Sequence, residues 1–247
     1  MESYTYQLMR EFEDKHWWFV ARRNILKSLL STLHLPERAS ILEVGAGTGG
    51  NIDFLKKFGD VICVESDEQA AQLARERKMA PVISGELPNG MPALDQHFDL
   101  IVLFDVIEHI EEDGESLRVL ARLLKPGGRI VLTVPAFAFL WSQHDDENHH
   151  KRRYNRRSLV RLVKTNGLSL GYISYFNFWL FPLVASIRII RKVFPYKGSW
   201  QDMKKPKALP NKILRSIFSS ERHLVGKRRL PFGISLVAVI SVPDSIG

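Results

Sequence analysis

The stretch ILEVGAGTGG, residues 41–50, constrains this chain more than any other. Four residues with no polar alternation but Glu43 run straight into a cluster of glycines. A short apolar run of this kind suits a strand buried on both faces. Glycines directly behind it let the backbone turn sharply and let a ligand come close. If a helix opens next, its free N–H groups face the same spot, which is the carboxyl edge of a parallel sheet. The glycines fit two spacings. Gly45, Gly47 and Gly50 satisfy G-x-G-x-x-G, the dinucleotide pattern, and Gly45, Gly47 and Gly49 satisfy G-x-G-x-G. Glu65 follows the next apolar run, VICV (61–64). A carboxylate there can accept hydrogen bonds from ribose hydroxyls, so it points to an adenosine cofactor under either spacing.

The rest of the first half keeps the same rhythm. Helical patterns at 16–35, 51–58 (with Asn51 as cap), 67–78 and 116–125 alternate with apolar runs at 61–64, 82–84, 98–107 and 129–134. Strands and helices at this spacing predict an α/β fold with a doubly wound, mostly parallel sheet. After Pro135 the pattern changes. A helix at 156–167 and a strand at 168–176 precede a long excursion, residues 176–231, before a final apolar strand at 232–242. The expected organisation is an N-terminal helical lid (1–39), a core (40–175 plus 232–242) and a basic, apolar cap inserted before the last strand (176–231).

At 247 residues and 45% hydrophobic the chain can bury a sizeable core. Its single cysteine, Cys63, allows no internal disulfide, and residues 1–18 lack the basic-then-apolar pattern of a secretory signal, which together predict a cytoplasmic protein. The net charge of +8 hides an asymmetry: residues 1–150 hold 15 bases and 24 acids, residues 151–247 hold 20 bases and 3 acids. A basic C-terminal part suits an anionic partner such as a phosphate or an acidic membrane surface, or else is a solvated face.

Four features separate the two glycine readings. Glu43 lies just before Gly45, where a carboxylate repels a pyrophosphate and suits a ligand carrying an ammonium. FDLIVLFDVIEHI (98–110) puts Phe104 and Asp105 at a strand end with Glu108 and His109 behind them; LLKPGGRIVL (123–132) joins helix to strand through Pro-Gly-Gly; and the chain closes on a strand after a long excursion. With these, the sequence resembles the class I S-adenosylmethionine-dependent methyltransferases. LEVGAGTGG is similar to their first motif, VICVESD to the acidic second, FDLIVLFDVIEHI to the fourth-strand motif and LLKPGGRIVLTVP to the fifth. The resemblance implies a Rossmann-like seven-stranded sheet whose last strand is antiparallel, with S-adenosylmethionine as cofactor. It implies Gly45, Ala46, Gly47, Thr48 and Gly49 along the methionine part, with Glu43 beneath. Glu65 would hold the ribose with Ser66 beside it, Gly85, Glu86 and Leu87 would flank the adenine, and Phe104 and Asp105 would line the methyl site. Here Gly85-Glu86 stands where Gly-Asp is common in the family.

The flanks carry the substrate. Trp17, Trp18 and Phe19 in HWWFVARR (16–23) follow one another about 100° apart on a helix, so one face cannot bury all three. That segment can cross a pocket mouth with Arg22 or Arg23 aimed at the cofactor carboxylate. It resembles the N-terminal lid of a methyltransferase branch that also has an HxRRY-like stretch after the fifth strand, here His150 to Tyr154. Residues 175–197 form an apolar run interrupted by Asn177, Pro182 and Arg188, shorter than a membrane span and suited to an interface, and basic clusters at 204–207, 212–215 and 226–229 continue the positive face. The acceptor expected is a small apolar or lipid-linked molecule, methylated on oxygen or carbon. Alternatives are a nicotinamide-dependent oxidoreductase and a basic nucleic-acid-binding methyltransferase, the latter disfavoured because no RNA-binding or base-flipping motif is present. The loop WSQHDDENHHKRRY (141–154) should lie beside the methyl group. Its histidines are read as proton acceptors, His150 first and His144 second, rather than as metal ligands, with Arg153 and Tyr154 orienting the acceptor.

Overall fold

The computed structural model describes residues 3–193 and 207–243. Seven strands form one sheet: β1 (Ala39–Val44), β2 (Gly59–Glu65), β3 (Val82–Ser84), β4 (Phe98–Phe104), β5 (Leu124–Pro135), β6 (Ser169–Phe176) and β7 (Ser235–Ser241). Their order is β3-β2-β1-β4-β5-β7-β6. β1 to β5 pair in parallel, and β7 runs antiparallel between β5 and β6. This is the Rossmann-like α/β sheet with a reversed last strand that the sequence implied.

The apolar runs are explained by burial on both faces. Leu42, Ile101, Leu103 and Leu132 point into one core layer, and their neighbours Ile41, Leu100, Val102 and Val131 into the other. Helices cover both faces: α1 (Ser3–Phe12), α2 (Trp17–Leu30), α3 (Ile52–Leu55), α4 (Glu68–Arg75), α5 (Asp113–Arg122), α6 (Gln143–Glu147), α7 (Arg156–Thr165), α8 (Phe181–Val193) and α9 (Ala208–Ser219). Asp67 caps α4 by accepting from Gln69 N and Ala70 N, and Asn155 caps α7 with Ser158 completing the box.

Three expectations change. α3 is one turn long, and Asn51 does not cap it: its backbone is already helical, and its side chain donates instead to Glu43 Oε1 at 2.9 Å. α2 is a layer of the core, with Ile25, Leu26, Leu29 and Leu30 buried, and it is α1 that rests on the glycine loop, with Met9 beside Gly47. The excursion before β7 is packed at its far end: Phe218 of α9 stacks on Phe176 at 6.2 Å and meets the edge of Trp17 at 6.1 Å. The expected cluster at 204–207 lies outside the described residues except for Lys207, and so do residues 194–197 of the apolar run.

Where β6 ends, the chain turns through three N–H groups that have no strand partner. Glu221 takes all three, accepting from Asn177 N (2.7 Å), Phe178 N (2.7 Å) and Trp179 N (3.1 Å). Glu221 is fully buried, so a side chain without acceptors leaves these donors unpaired. Glu221→Ala is expected to lower the free energy of unfolding in urea by about 3 kcal/mol and Glu221→Gln by clearly less. A loss below about 1 kcal/mol for the alanine variant would contradict this role.

Candidate active site

The glycine loop takes the shape its sequence allows. Gly45 and Gly47 have φ of 73° and 56°, in the left-handed region. A Cβ on Gly45 would stand 2.5 Å from Val106 Cγ2, so only glycine fits between β1 and the chain after β4. At Gly47 a Cβ would meet only the Met9 methyl, at 3.8 Å, so here the backbone itself is the surface a ligand would touch. Glu65 closes the loop: Oε2 accepts from Gly47 N (2.7 Å) and Oε1 from Asp67 N (3.0 Å). Beneath lies Glu43, which is 1% exposed and accepts from Asn51 and, at 3.8 Å, from Cys63. Burial pushes its carboxyl up to about 7, against the pull of Asn51 and the Arg22 charge.

The N-terminal helices hold this loop from above. Buried Glu13 accepts from Thr48 Oγ1 at 2.6 Å and pairs with Arg77. Tyr6, also buried, donates to Asp67 beside Glu65; burial and that acidic neighbour push its phenol well up. Arg22 is 6% exposed, pairs with Asp105, and lies over the Trp18 ring at 4.7 Å. Its Nε has no hydrogen-bond partner, which leaves a buried donor for a ligand carboxylate. A close-approach glycine loop, a carboxylate for hydroxyls, a buried carboxylate for a cation and a guanidinium donor together fit the adenosine, ammonium and carboxylate of S-adenosylmethionine.

Several residues expected at the cofactor or the acceptor are committed to the fold, and others stay accessible. Thr48 is fully buried with its hydroxyl on Glu13, so it anchors α1 rather than facing the loop's open side. Leu87 packs into the core with Val44 and Val64, while Glu86 and Ser66 are exposed. Trp17 packs on Phe218, and its backbone N–H donates to Asn211 Oδ1, so of the two tryptophans it is Trp18 that meets Arg22. Arg23 turns to Glu13 and Asp14, which leaves Arg22 as the arginine that meets Asp105.

Asp105 follows β4 with φ of 60°, a conformation that costs a non-glycine residue of order 1 kcal/mol and concentrates at functional sites. β5 holds it there. Asp105 N donates to Thr133 O (3.0 Å), and Thr133 Oγ1 donates to Asp105 Oδ1 (3.1 Å). A short helical turn, Ile107–His109, comes next. Glu108 is completely buried, and neither carboxylate oxygen has a hydrogen-bond partner. Burial, and then the Asp105 charge, raise its pKa well above the ordinary range.

The histidine loop is folded around one acid. Asp145 of α6 is completely buried and accepts from Ser142 N, His150 Nδ1 (2.8 Å), Arg153 Nε (2.7 Å) and Arg153 Nη2 (3.0 Å). Burial alone would raise its pKa, but the bonds from His150 and Arg153 hold it well below the carboxylate range. Lys151 N donates to Glu108 O at 2.7 Å, which pins the loop to the turn after β4. The His150 ring thereby comes 4.7 Å from the His109 ring, edge to face. Burial first, and His150 second, hold His109 down at about 4.

This packing corrects the roles read from the loop. Tyr154 is 4% exposed in the core and donates to Asp113 at 2.7 Å, so it staples α5 and cannot orient an acceptor. Arg153 is committed to Asp145 and to Ala136 O (2.9 Å), so it builds the loop rather than binding a phosphate. His144 is bonded to Asn148, and burial, then Arg188, lower its pKa to about 3. His150 remains, its side chain nearly buried against the His109 ring. Glu108 and His109 stand with it, although nothing in the loop itself pointed to them.

The position of Glu43 predicts a pH dependence. A cationic ligand above it favours the carboxylate and so lowers its pKa on binding. Affinity for S-adenosylhomocysteine should therefore rise between pH 6 and pH 8, by up to about tenfold for a group titrating near 7. Calorimetry should show that rise in the wild type and a flat profile in Glu43→Gln. Equal slopes in the two would remove Glu43 from cofactor binding.

Residues 17–171 match the family model described as a methyltransferase domain. A probable S-adenosylmethionine-dependent methyltransferase of Mycolicibacterium smegmatis is 26% identical over 161 residues, 64% of this chain and 61% of its own. The demethylmenaquinone methyltransferase of Tropheryma whipplei is 32% identical over 123 residues, 49% of this chain and 48% of its own. The chain thus spans about half to three fifths of the length of these relatives. The methyltransferase solved in complex with the Haloferax volcanii Trm112 activator superposes with a TM-score of 0.63 at 15% identity, covering 99% of this chain and 96% of that one, which is a likeness of fold. The family match decides between the two readings of the glycine loop, and the nicotinamide alternative gives way: the chain belongs to the class I S-adenosylmethionine-dependent methyltransferases.

Proposed function

We propose that this methyltransferase acts on an apolar, lipid-linked acceptor, such as an isoprenoid quinone precursor, which it takes from an anionic membrane surface. The observation that carries this reading is a pair of exposed apolar stripes. On α8, Leu183, Ile187 and Ile190 are 55%, 41% and 57% exposed, and Trp179 continues the row at 51%. On α9, Leu209, Ile213 and Ile217 are 69%, 49% and 39% exposed. Each set recurs every three or four residues, so each lines one helix face. Large apolar side chains in rows, rather than singly, mark interaction surfaces. Lys192, Lys207, Lys212 and Arg215 lie on the same helices or at their start, as at a surface meeting acidic headgroups. No helix among the described residues is long and apolar enough to cross a membrane, which fits a segment that lies on one. The name of the Tropheryma whipplei relative supports a quinone-type acceptor.

S-adenosylmethionine, when bound, would supply an activated methyl for an electron pair of the acceptor, a lone pair on oxygen or a π pair at a ring carbon, with a neutral thioether as the leaving group and the displaced acceptor proton lost to a base or solvent. The chain's part is placement. Asp105, held by Thr133 and Arg22, and the Trp18 ring frame one side of the methyl site, and Glu108, His109 and His150 frame the other. A hydroxyl acceptor seated against that second group must also lose its proton there. α8 is tied to the loop after β5 as well, through Arg188 to Leu140 O at 2.7 Å and through Lys192 to Phe139 O at 2.7 Å.

Incubation with methyl-labelled S-adenosylmethionine and anionic vesicles loaded with a cell lipid extract should place label in the organic phase. Ile187→Glu, on the stripe and outside the site, should lower that labelling at least about tenfold and leave S-adenosylhomocysteine affinity unchanged. Label that stays in the aqueous phase, or an Ile187→Glu variant as active as the wild type, would overturn the lipid-linked acceptor.

A further inference from the structure

We infer that Glu108, His109 and His150 form a binding site for a divalent transition-metal ion, with open positions toward the acceptor. One ligand-type atom from each lies within 4.8 Å of the other two. Ligands about 2.1 Å from a tetrahedral zinc stand roughly 3.4 Å apart, so closure on an ion asks for shifts of about an ångström in side chains alone. Two imidazoles and one carboxylate are the ligand set of many catalytic zinc and non-haem iron sites, which keep further positions free for water or substrate.

The surroundings are those of ligands, not of a chance cluster. Glu108 is completely buried, yet neither of its oxygens has a partner, a costly arrangement unless something completes it. The nearby guanidinium groups are engaged elsewhere: Arg22 pairs with Asp105, and Arg153 and Arg188 with Asp145. Each imidazole is oriented by an outer partner. His150 Nδ1 bonds to Asp145 at 2.8 Å, which directs Nε2 and its lone pair the other way, and His109 bonds to the backbone of Asn148. A carboxylate or carbonyl on the far nitrogen is the usual support for a metal-bound histidine. The ligands come from two segments, the turn after β4 and the loop after β5, and Lys151 N on Glu108 O joins them.

An ion held there would take an acceptor oxygen as a further ligand and lower the pKa of that hydroxyl, so that its proton passes to solvent. This use of the ion rests on the methyl-transfer reading above; its binding does not.

The test is a titration of the chelator-treated full chain with Co2+, followed by visible absorption. The expected result is a saturable spectrum at one ion per chain, displaced by Zn2+. Glu108→Gln and His150→Asn should each weaken binding by at least about tenfold. His149→Asn, at the exposed neighbour, should bind as the wild type does. Retained S-adenosylhomocysteine affinity in each variant shows that it has folded. A wild type with no saturable binding at 100-fold molar excess of Co2+ or Zn2+ overturns the site, as does a folded Glu108→Gln that binds unchanged. If the ion binds and no lipid is labelled, the acceptor proposal fails alone. If lipid is labelled and chelation changes nothing while Co2+ finds no site, the metal proposal fails alone.

Discussion

The site is fitted to one constraint, the close approach of the backbone at the end of β1. Gly45 must lie against Val106, and Gly47 must leave its place open. These two demands set where the chain after β4 can run and where α1 can rest. Glu65 then holds the loop by a single carboxylate, with one oxygen on Gly47 N and the other on Asp67 N. Since Asp67 also caps α4, the loop, the end of β2 and a helix start share one bonded unit. α1 closes on that unit through Glu13 and Tyr6, so the N-terminal segment is part of the cofactor site's construction.

A second carboxylate does for the acceptor side what Glu65 does for the cofactor side. Asp145 gathers His150 and Arg153 from its own loop and Arg188 from α8, and turns the loop after β5 toward the turn after β4. Buried ion groups of this kind contribute less net stability than their bonds suggest, because each charge leaves water. Their effect is orientation: Asp145 decides which nitrogen of His150 faces the site. Glu108 is the contrasting case, buried to the same degree with no hydrogen bond to its carboxylate.

The sheet was legible in the sequence because strands buried on both faces leave continuous apolar runs, and 41–44, 61–64 and 82–84 sit inside the observed strands. The glycines were legible because left-handed backbone admits few other residues. The contacts of α1 were not, since Glu13 and Tyr6 acquire meaning only when a distant loop arrives. Tyr154 and Arg153 were misjudged for the same reason: a polar loop sequence does not reveal which of its side chains turn inward, and both turn inward. Glu108 and His109 were visible as a carboxylate and an imidazole behind a strand end. Their meeting with His150 depends on a backbone bond between segments some forty residues apart.

We propose the glycine loop, Glu43, Glu65 and Arg22 as the site for S-adenosylmethionine. Thermal unfolding of the full chain with S-adenosylhomocysteine or NADH tests it directly, since a ligand that binds only the folded state stabilises it by about 2.7 kcal/mol at a hundred times its Kd. S-adenosylhomocysteine should raise Tm by roughly 5 °C or more at such an excess, and NADH should leave it unchanged. A shift with NADH and none with S-adenosylhomocysteine would contradict the account.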